Sequence, residues 1–166
     1  ALDPATLAEA VAGTDAVACC LGQRRAGQSP WSAPLSPPDL MERITPSLVE
    51  AMQDAGVRRL ALVSAAGVAE SYERLSGPVR WLVRQGQIGV AYRDLEAAEQ
   101  ALAGSGLDWL AVRPVTLANG GPADRAREVE RYGLASTVRR SDVAAWMVAA
   151  LEAEPPFPRR TVLLGK

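Results

Sequence analysis

The stretch S-G-L-D-W-L-A-V-R-P, Ser105 to Pro114, decides the fold. Ser105-Gly106 punctuates the end of a helix, and Trp109 to Val112 is a short apolar run bounded by charge. That pattern predicts a strand buried on both faces. Pro114 lacks an N–H and cannot extend a central ladder, so the strand must stop there. Ligands of open α/β sheets gather just beyond the carboxyl ends of the strands. The continuation Arg113-Pro114-Val115-Thr116 is therefore expected to border a binding crevice.

Outward from that strand the pattern alternates. Upstream, Tyr92 to Ala103 predicts a helix with Leu95, Ala98 and Leu102 on one face. Leu60 to Val63 predicts a second buried strand, closed by the small-residue turn Ser64-Ala65-Ala66-Gly67. Before it comes a helix carrying Leu48, Val49 and Met52 inward and ending at Asp54-Ala55-Gly56, with Thr45-Pro46 either capping or bending it. Asp15 to Leu21 predicts another strand covered on both sides, holding the only two cysteines, Cys19 and Cys20, as buried small hydrophobes. Asp3-Pro4 caps an opening helix with Leu7 and Val11 on its inner face. The proline-rich segment from Gln23 to Asp39 is a long loop, which in a compact domain is usually functional or mobile. A short helix around Val79 to Val83 is expected to pack Trp81, and 119–137 reads as an irregular excursion. Ser141 or Asp142 caps a last helix through Leu151, and Arg160 to Leu164 closes as a strand. The order α-β-α-β-α-β-α-β predicts one α/β domain over residues 1–166, a Rossmann-like parallel sheet with helices on both faces. The helices ending at Gly56 and Ala103 are expected on opposite faces.

Composition narrows the chemistry. The chain has 166 residues with 18 basic against 19 acidic, a net charge of −1 that offers no footprint for nucleic acid or anionic membrane. No apolar run reaches the ~18 residues of a membrane span, and no signal peptide opens the sequence, so a cytosolic protein is expected. Histidine is absent. That excludes Ser-His and Cys-His nucleophile pairs and imidazole metal ligands, and no metal is expected.

Four stretches in order carry a resemblance: D-A-V-A-C-C-L-G, A-M-Q-D-A-G-V-R-R-L-A-L-V-S-A-A-G-V, L-E-A-A-E-Q-A-L-A-G-S-G-L-D-W-L-A-V-R-P and V-R-R-S-D-V-A-A-W-M. Together they resemble the atypical short-chain dehydrogenase/reductases, and within them the single-domain NAD(P)H-binding group that includes biliverdin reductase B and flavin reductase. The resemblance covers nearly the whole chain and implies NADP or NAD as cofactor. It implies that Leu21-Gly22 passes beside the ribose and pyrophosphate, with Arg24 in reach of a phosphate. By the same resemblance Ser64, with Ala65, lies beneath the nicotinamide, while Arg113, Pro114, Val115 and Thr116 back its ring. For Arg113 an ion pair with a nearby carboxylate is the stronger expectation from the residue alone.

Two departures bear on what the resemblance implies. The family opens with a strand, a G-x-x-G-x-x-G turn and a helix, and the likeness here begins only near the family's third strand, so the first β-α-β unit is missing from the match. Losing two or three charge-assisted bonds to a pyrophosphate, at about 1.5–3 kcal/mol each, would weaken binding by roughly a thousandfold or more. Asp15 to Leu21 should then form an exposed sheet edge open to self-association. A fragment of a longer protein is the expectation. Second, the wider family's Tyr-x-x-x-Lys pair is absent: Tyr92 is one residue out of register and Leu95 stands where lysine would be. Without a neighbouring ammonium a tyrosine keeps a pKa near ~10, ionised in about one molecule in a thousand at neutral pH. Alcohol chemistry needs that relay, whereas hydride delivery to a conjugated acceptor needs mainly orientation and exclusion of water. The expectation is an NAD(P)H-dependent oxidoreductase acting on a flavin or tetrapyrrole, with Ser64 as its catalytic residue. A non-catalytic NAD(P) sensor, or an inactive fragment, is the alternative.

Overall fold

A computed structural model describes residues 3–166 apart from 28, 30, 76, 124, 134 and 155–158. Its elements are α1 (Pro4–Val11), β1 (Ala16–Cys19), α2 (Leu40–Asp54), β2 (Arg59–Val63), a 3-10 turn (Ala69–Arg74), α3 (Gly77–Gln85), α4 (Ile88–Gly104), β3 (Asp108–Pro114), β4 (Thr116–Ala118), β5 (Arg127–Glu128), β6 (Thr137–Arg139), α5 (Arg140–Glu152) and β7 (Arg160–Gly165). The main sheet has the order β1-β2-β3-β7-β5. Its first four strands are parallel, and β5 adds antiparallel to β7. Strands β4 and β6 form a separate parallel pair. This is the expected Rossmann-like parallel sheet, with β1 at its edge.

The two faces separate by strand alternation. Leu60 and Leu62 of β2 point into a core with α1, α2 and α4, where Met41, Met52, Ala98 and Leu102 are fully buried. Ala61 of β2 and Leu110 and Val112 of β3 point the other way, into a core with Val143 and Met147 of α5. The expectation that the helices ending near Gly56 and Ala103 lie on opposite faces is therefore wrong, since α2 and α4 share one core. The strand order explains why. The chain steps from β1 to β2 to β3 in one direction, and crossovers of the same hand then deposit every connecting helix on the same face.

Other local readings also change. Strand β1 is not covered on both faces, because Ala18 is exposed and only Cys19 is buried; Cys20 is exposed as well. Side chains of a strand project to the two sheet faces, and at Ala18 that face has no layer packed over it, so the residue meets water. Trp81 does not pack inward but stands 59% exposed on α3. Helix α5 starts at Arg140, with Arg139 in the capping position and neither Ser141 nor Asp142 there. Asp142 is buried in its first turn and accepts the Ala123 N–H at 2.7 Å. Pro46 lies inside a longer α2 that already begins at Leu40. As expected, Asp3 caps α1 with Pro4 at its first position, its carboxylate accepting the Thr6 N–H.

Helix α2 gets its N-terminal support from a distant residue. Asp39, at its capping position, makes no side-chain cap bond. Instead the buried carboxylate of Asp94, on α4, accepts the N–H groups of Met41 and Glu42 at 2.8 and 2.9 Å. Its other oxygen accepts Gln23 Nε2 at 3.1 Å. One carboxylate thus ties the helix end to the loop that follows β1.

Candidate functional site

The parallel strands end together on one side of the sheet. Beyond Val63 the ladder continues, with Ser64 N–H donating to the Val112 carbonyl at 2.6 Å and Ala66 N–H to the Pro114 carbonyl at 3.0 Å. On the far side Val115 N–H donates to the Leu164 carbonyl of β7 at 2.9 Å. These bonds hold the turn after β2 and the segment after β3 side by side. A cleft of about 700 Å³ opens there. Its floor holds Ser64, Ala65, Ala66, Pro114, Val115, Thr116 and Leu117. Tyr92 of α4, Leu75, Val79 of α3 and Tyr132 enclose it, and Arg25, Arg74 and Arg140 reach it from three different elements.

Ser64 is the unusual atom of this floor. Its hydroxyl is buried and has no hydrogen-bond partner among the described residues. A buried hydroxyl left unpaired costs about 1–3 kcal/mol, which a water or a ligand group would offset; Thr45 Oγ1 in α2, away from the cleft, is in the same state. Tyr92 is differently disposed. Its hydroxyl donates to the Ala66 carbonyl at 2.9 Å, and burial pushes its pKa up to about 12. The phenol therefore braces the Ser64–Gly67 turn and stays protonated at neutral pH. Gly67 makes room for it. The residue has φ +97°, and a Cβ there would come within 2.9 Å of the Tyr92 ring. The chain's one lysine, Lys166, follows β7 and is not among the residues lining the cleft.

Of the residues singled out from sequence, Ser64, Ala65, Pro114, Val115 and Thr116 come together in this cleft, and four do not. Leu21, Gly22 and Arg24 lie in the segment just after β1, exposed and outside the lining. Gln23, Arg25 and Gly27 face the cleft in their place. The segment is extended, pairing Ala26 and Leu35 backbone groups with Ala33 and Arg24, and in extended chain every second side chain shares a side. A period-two reading of Leu21 to Gly27 was the available signal, but nothing in the sequence sets its phase.

Arg113 is the fourth exception, and its ion pair was the stronger expectation. It belongs to the α4 side of the sheet, 4% exposed, held between two carboxylates. Its Nε donates to Glu99 Oε1 at 2.9 Å, and Nη2 to the other Glu99 oxygen. Glu70 accepts from Nη1 and, at 3.1 Å, from Nη2. Burial alone would lower the guanidinium's pKa, but the bonds to Glu99 and Glu70 outweigh it and hold the value above the ordinary one. The same pairing holds the Glu70 carboxyl below its usual range. Arg113 instead walls a second groove, of about 950 Å³, over β7 and β5, where acidic and basic side chains alternate and Arg160 pairs with Glu128.

Comparison with known proteins agrees with this architecture. A family profile described as NAD(P)H-binding matches residues 1–154. No curated protein matches the sequence. Among solved structures, chuY from E. coli CFT073 superposes with a TM-score of 0.73 at 20% identity, over 98% of this chain and 77% of that one. ChuY from Escherichia coli O157:H7, described as an anaerobillin reductase, gives 0.72 at 23% identity, over 98% and 70%. A short-chain dehydrogenase/reductase from Veillonella parvula DSM 2008, solved with NADP, gives 0.72 at 18% identity, over 99% and 68%. At these identities the superpositions establish the fold. The profile, spanning all but the last residues, establishes more: the chain belongs to the NAD(P)H-binding family.

Proposed function

We propose that the protein is an NAD(P)H-dependent oxidoreductase that passes hydride to a conjugated acceptor of the flavin or tetrapyrrole kind. One observation carries the proposal: the buried, unpartnered Ser64 hydroxyl at the floor of the strand-end cleft. The residues around it fit a nicotinamide and a flat acceptor. Ala65, Ala66, Pro114, Val115 and Leu117 offer an apolar surface of low relief, and Thr116 adds a hydroxyl at its margin. When bound, the dinucleotide supplies the hydride. The protein's part is to orient and to exclude water. Ser64 offers one donor and one acceptor to a carboxamide or to the acceptor, and it does so neutral, since neither histidine nor lysine lies beside it. Tyr92 holds the turn and keeps its proton. That division of labour suits reduction of an extended π system and not of an isolated carbonyl, whose alkoxide would require an acid. One structural relative is described as an anaerobillin reductase, which supports the acceptor class.

No helix among the described residues is long and apolar enough to cross a membrane, and a cytosolic setting belongs to this reading. So does self-association through β1, whose outer side has no partner strand among the described residues. Light scattering that stays monomeric over a wide concentration range would remove that part. The function itself is tested with Ser64→Ala, following NADPH oxidation with a flavin acceptor. The rate should fall about tenfold to a hundredfold, the worth of one aligned hydrogen bond, with an unchanged pH profile. An unaltered rate removes Ser64 from the site. Absence of turnover with every conjugated acceptor, with NADPH still bound, favours a sensor.

A further inference from the structure

We propose that Glu70 is a positioning residue: by gripping Arg113 it sets where one wall of the strand-end cleft stands, and so how tightly the cleft holds its ligand. Glu70 lines the neighbouring groove and not the cleft itself. The proposal rests on the reductase reading for what enters the cleft, and goes beyond it in giving a task to a residue outside.

The wall is the segment that leaves the Ser64–Gly67 turn. It runs through Val68 and the 3-10 turn to Leu75, and Arg74 and Leu75 line the cleft. Much of it is held by bonds within the rim. Ser71 Oγ accepts the Gly67 N–H at 2.9 Å and donates to the Val68 carbonyl at 2.6 Å. The Tyr72 hydroxyl donates to the Arg80 carbonyl, and that of Tyr132 to the Ser71 carbonyl, each at 3.2 Å. These bonds give the rim its shape. Among the described residues, the hydrogen bonds that join 69–75 to a strand of the main sheet are those from Arg113 to Glu70.

Two features make that tie a positioning device. The first is that Arg113 cannot follow the turn. Its guanidinium is 4% exposed and is held from α4 by Glu99, with Nε at 2.9 Å from Oε1. It also immediately precedes Pro114, which belongs to the cleft floor. Both Nη1 and Nη2 reach Glu70, and a planar fork gripping two carboxylate oxygens fixes direction as well as distance. The second feature is the backbone. Ala69 has φ +49°, the one positive φ outside glycine among the described residues. A left-handed residue with a Cβ is strained, and it persists where its surroundings over-determine it. Its neighbours here are Val68, 1% exposed, and the clamped Glu70. Releasing Glu70 lets Ala69 return towards negative φ, and that rotation carries Arg74 and Leu75 away from their place beside the floor.

Glu70→Gln and Ala69→Gly, alone and combined, test the proposal. Riboflavin serves as the probe because it is neutral, and its fluorescence polarisation reads affinity without hydride transfer. Glu70→Gln should weaken riboflavin about threefold to fivefold, the most that the strength of an exposed pair can move an equilibrium. KM should rise alike with kcat nearly unchanged, and Tm should fall by no more than about 2–4 °C. Salt should mimic the substitution: the gap between parent and variant should close as ionic strength rises from about 0.05 M towards 1 M. Ala69→Gly should restore most of the affinity in the Glu70→Gln background, because glycine adopts φ +49° without help from the pair. A residue that served stability alone would show neither the closing gap nor the rescue.

NADPH fluorescence titration reads the same variants from the cofactor's side. Unchanged affinity for riboflavin and NADPH alike in Glu70→Gln overturns the proposal. So does a loss of kcat at constant KM, or a gap that persists at high salt. Should the variant fold poorly, the unaltered protein decides, since riboflavin affinity that does not fall with salt overturns the proposal. Affinity changes of the expected kind in a protein that never oxidises NADPH refute the reductase reading and leave the positioning role standing.

Discussion

Glu99→Gln tests the buried clamp on Arg113, which forms the wall beside the candidate site. Arg113 is 4% exposed, and its two carboxylates are unequal: Glu99 is 8% exposed and Glu70 64%. Removing the Glu99 charge leaves a guanidinium in the core with only a solvent-facing partner. Breaking a buried pair from one side costs about 3–5 kcal/mol. The amide oxygen of glutamine preserves one of the two bonds, which places the loss near the lower end, about 3 kcal/mol. For a chain of this length that is a fall of roughly 6–12 °C in Tm. Glu70→Gln removes the screened partner and should cost under about 1 kcal/mol. Its effect also has a pH signature. The Glu70 carboxyl is held below its ordinary value, so its contribution is complete above the unfolded-state pKa of about 4.3 and disappears as pH falls through the folded one. The difference between Glu70→Gln and the parent should therefore vanish in acid. Urea and thermal unfolding, each followed by circular dichroism, measure both variants. Equal small losses from the two would refute the reasoning, because burial would then not govern the value of the pair.

Two further outcomes are expected. Asp94→Ala unties two N–H groups of α2 and the Gln23 side chain at once, and a lost helix cap with buried donors left unpaired costs about 1–3 kcal/mol; proteolysis within 21–38 should accelerate alongside the drop in Tm. Tyr92→Phe removes the bond to the Ala66 carbonyl at about 0.5–1.5 kcal/mol. Because the phenol's pKa is pushed up to about 12, the hydroxyl stays protonated through neutral pH, and steady-state rates between pH 6 and 9 should keep the same profile in the variant.

The sequence by itself determined the elements that are apolar, short and punctuated. Leu60 to Ser64 and Asp108 to Arg113 could be read as adjacent parallel strands because turn residues bound each run and the intervening segment is helical. Pro114 marked the strand end, and Ser64 the other, so the floor of the cleft was legible before any coordinates. The ion pair of Arg113 could be anticipated, but its partners could not, since Glu99 and Glu70 approach it only when α4 and the 3-10 turn fold over the sheet. Tertiary structure alone decided three things. It put α2 and α4 on one face, a matter of strand order and not of local pattern. It exposed Ala18 on β1: the edge position was expected from the missing first unit, but which side chains of an apolar run meet water was not. It also chose Gln23 and Arg25 over Leu21, Gly22 and Arg24 for the cleft, because the phase of an extended loop is set by what anchors it, here Asp94 fifty or more residues away in α4. Arg74 and Arg140 gave no sign in the sequence for the same reason. Each is an ordinary surface arginine until the chain brings both to the lining of the strand-end cleft.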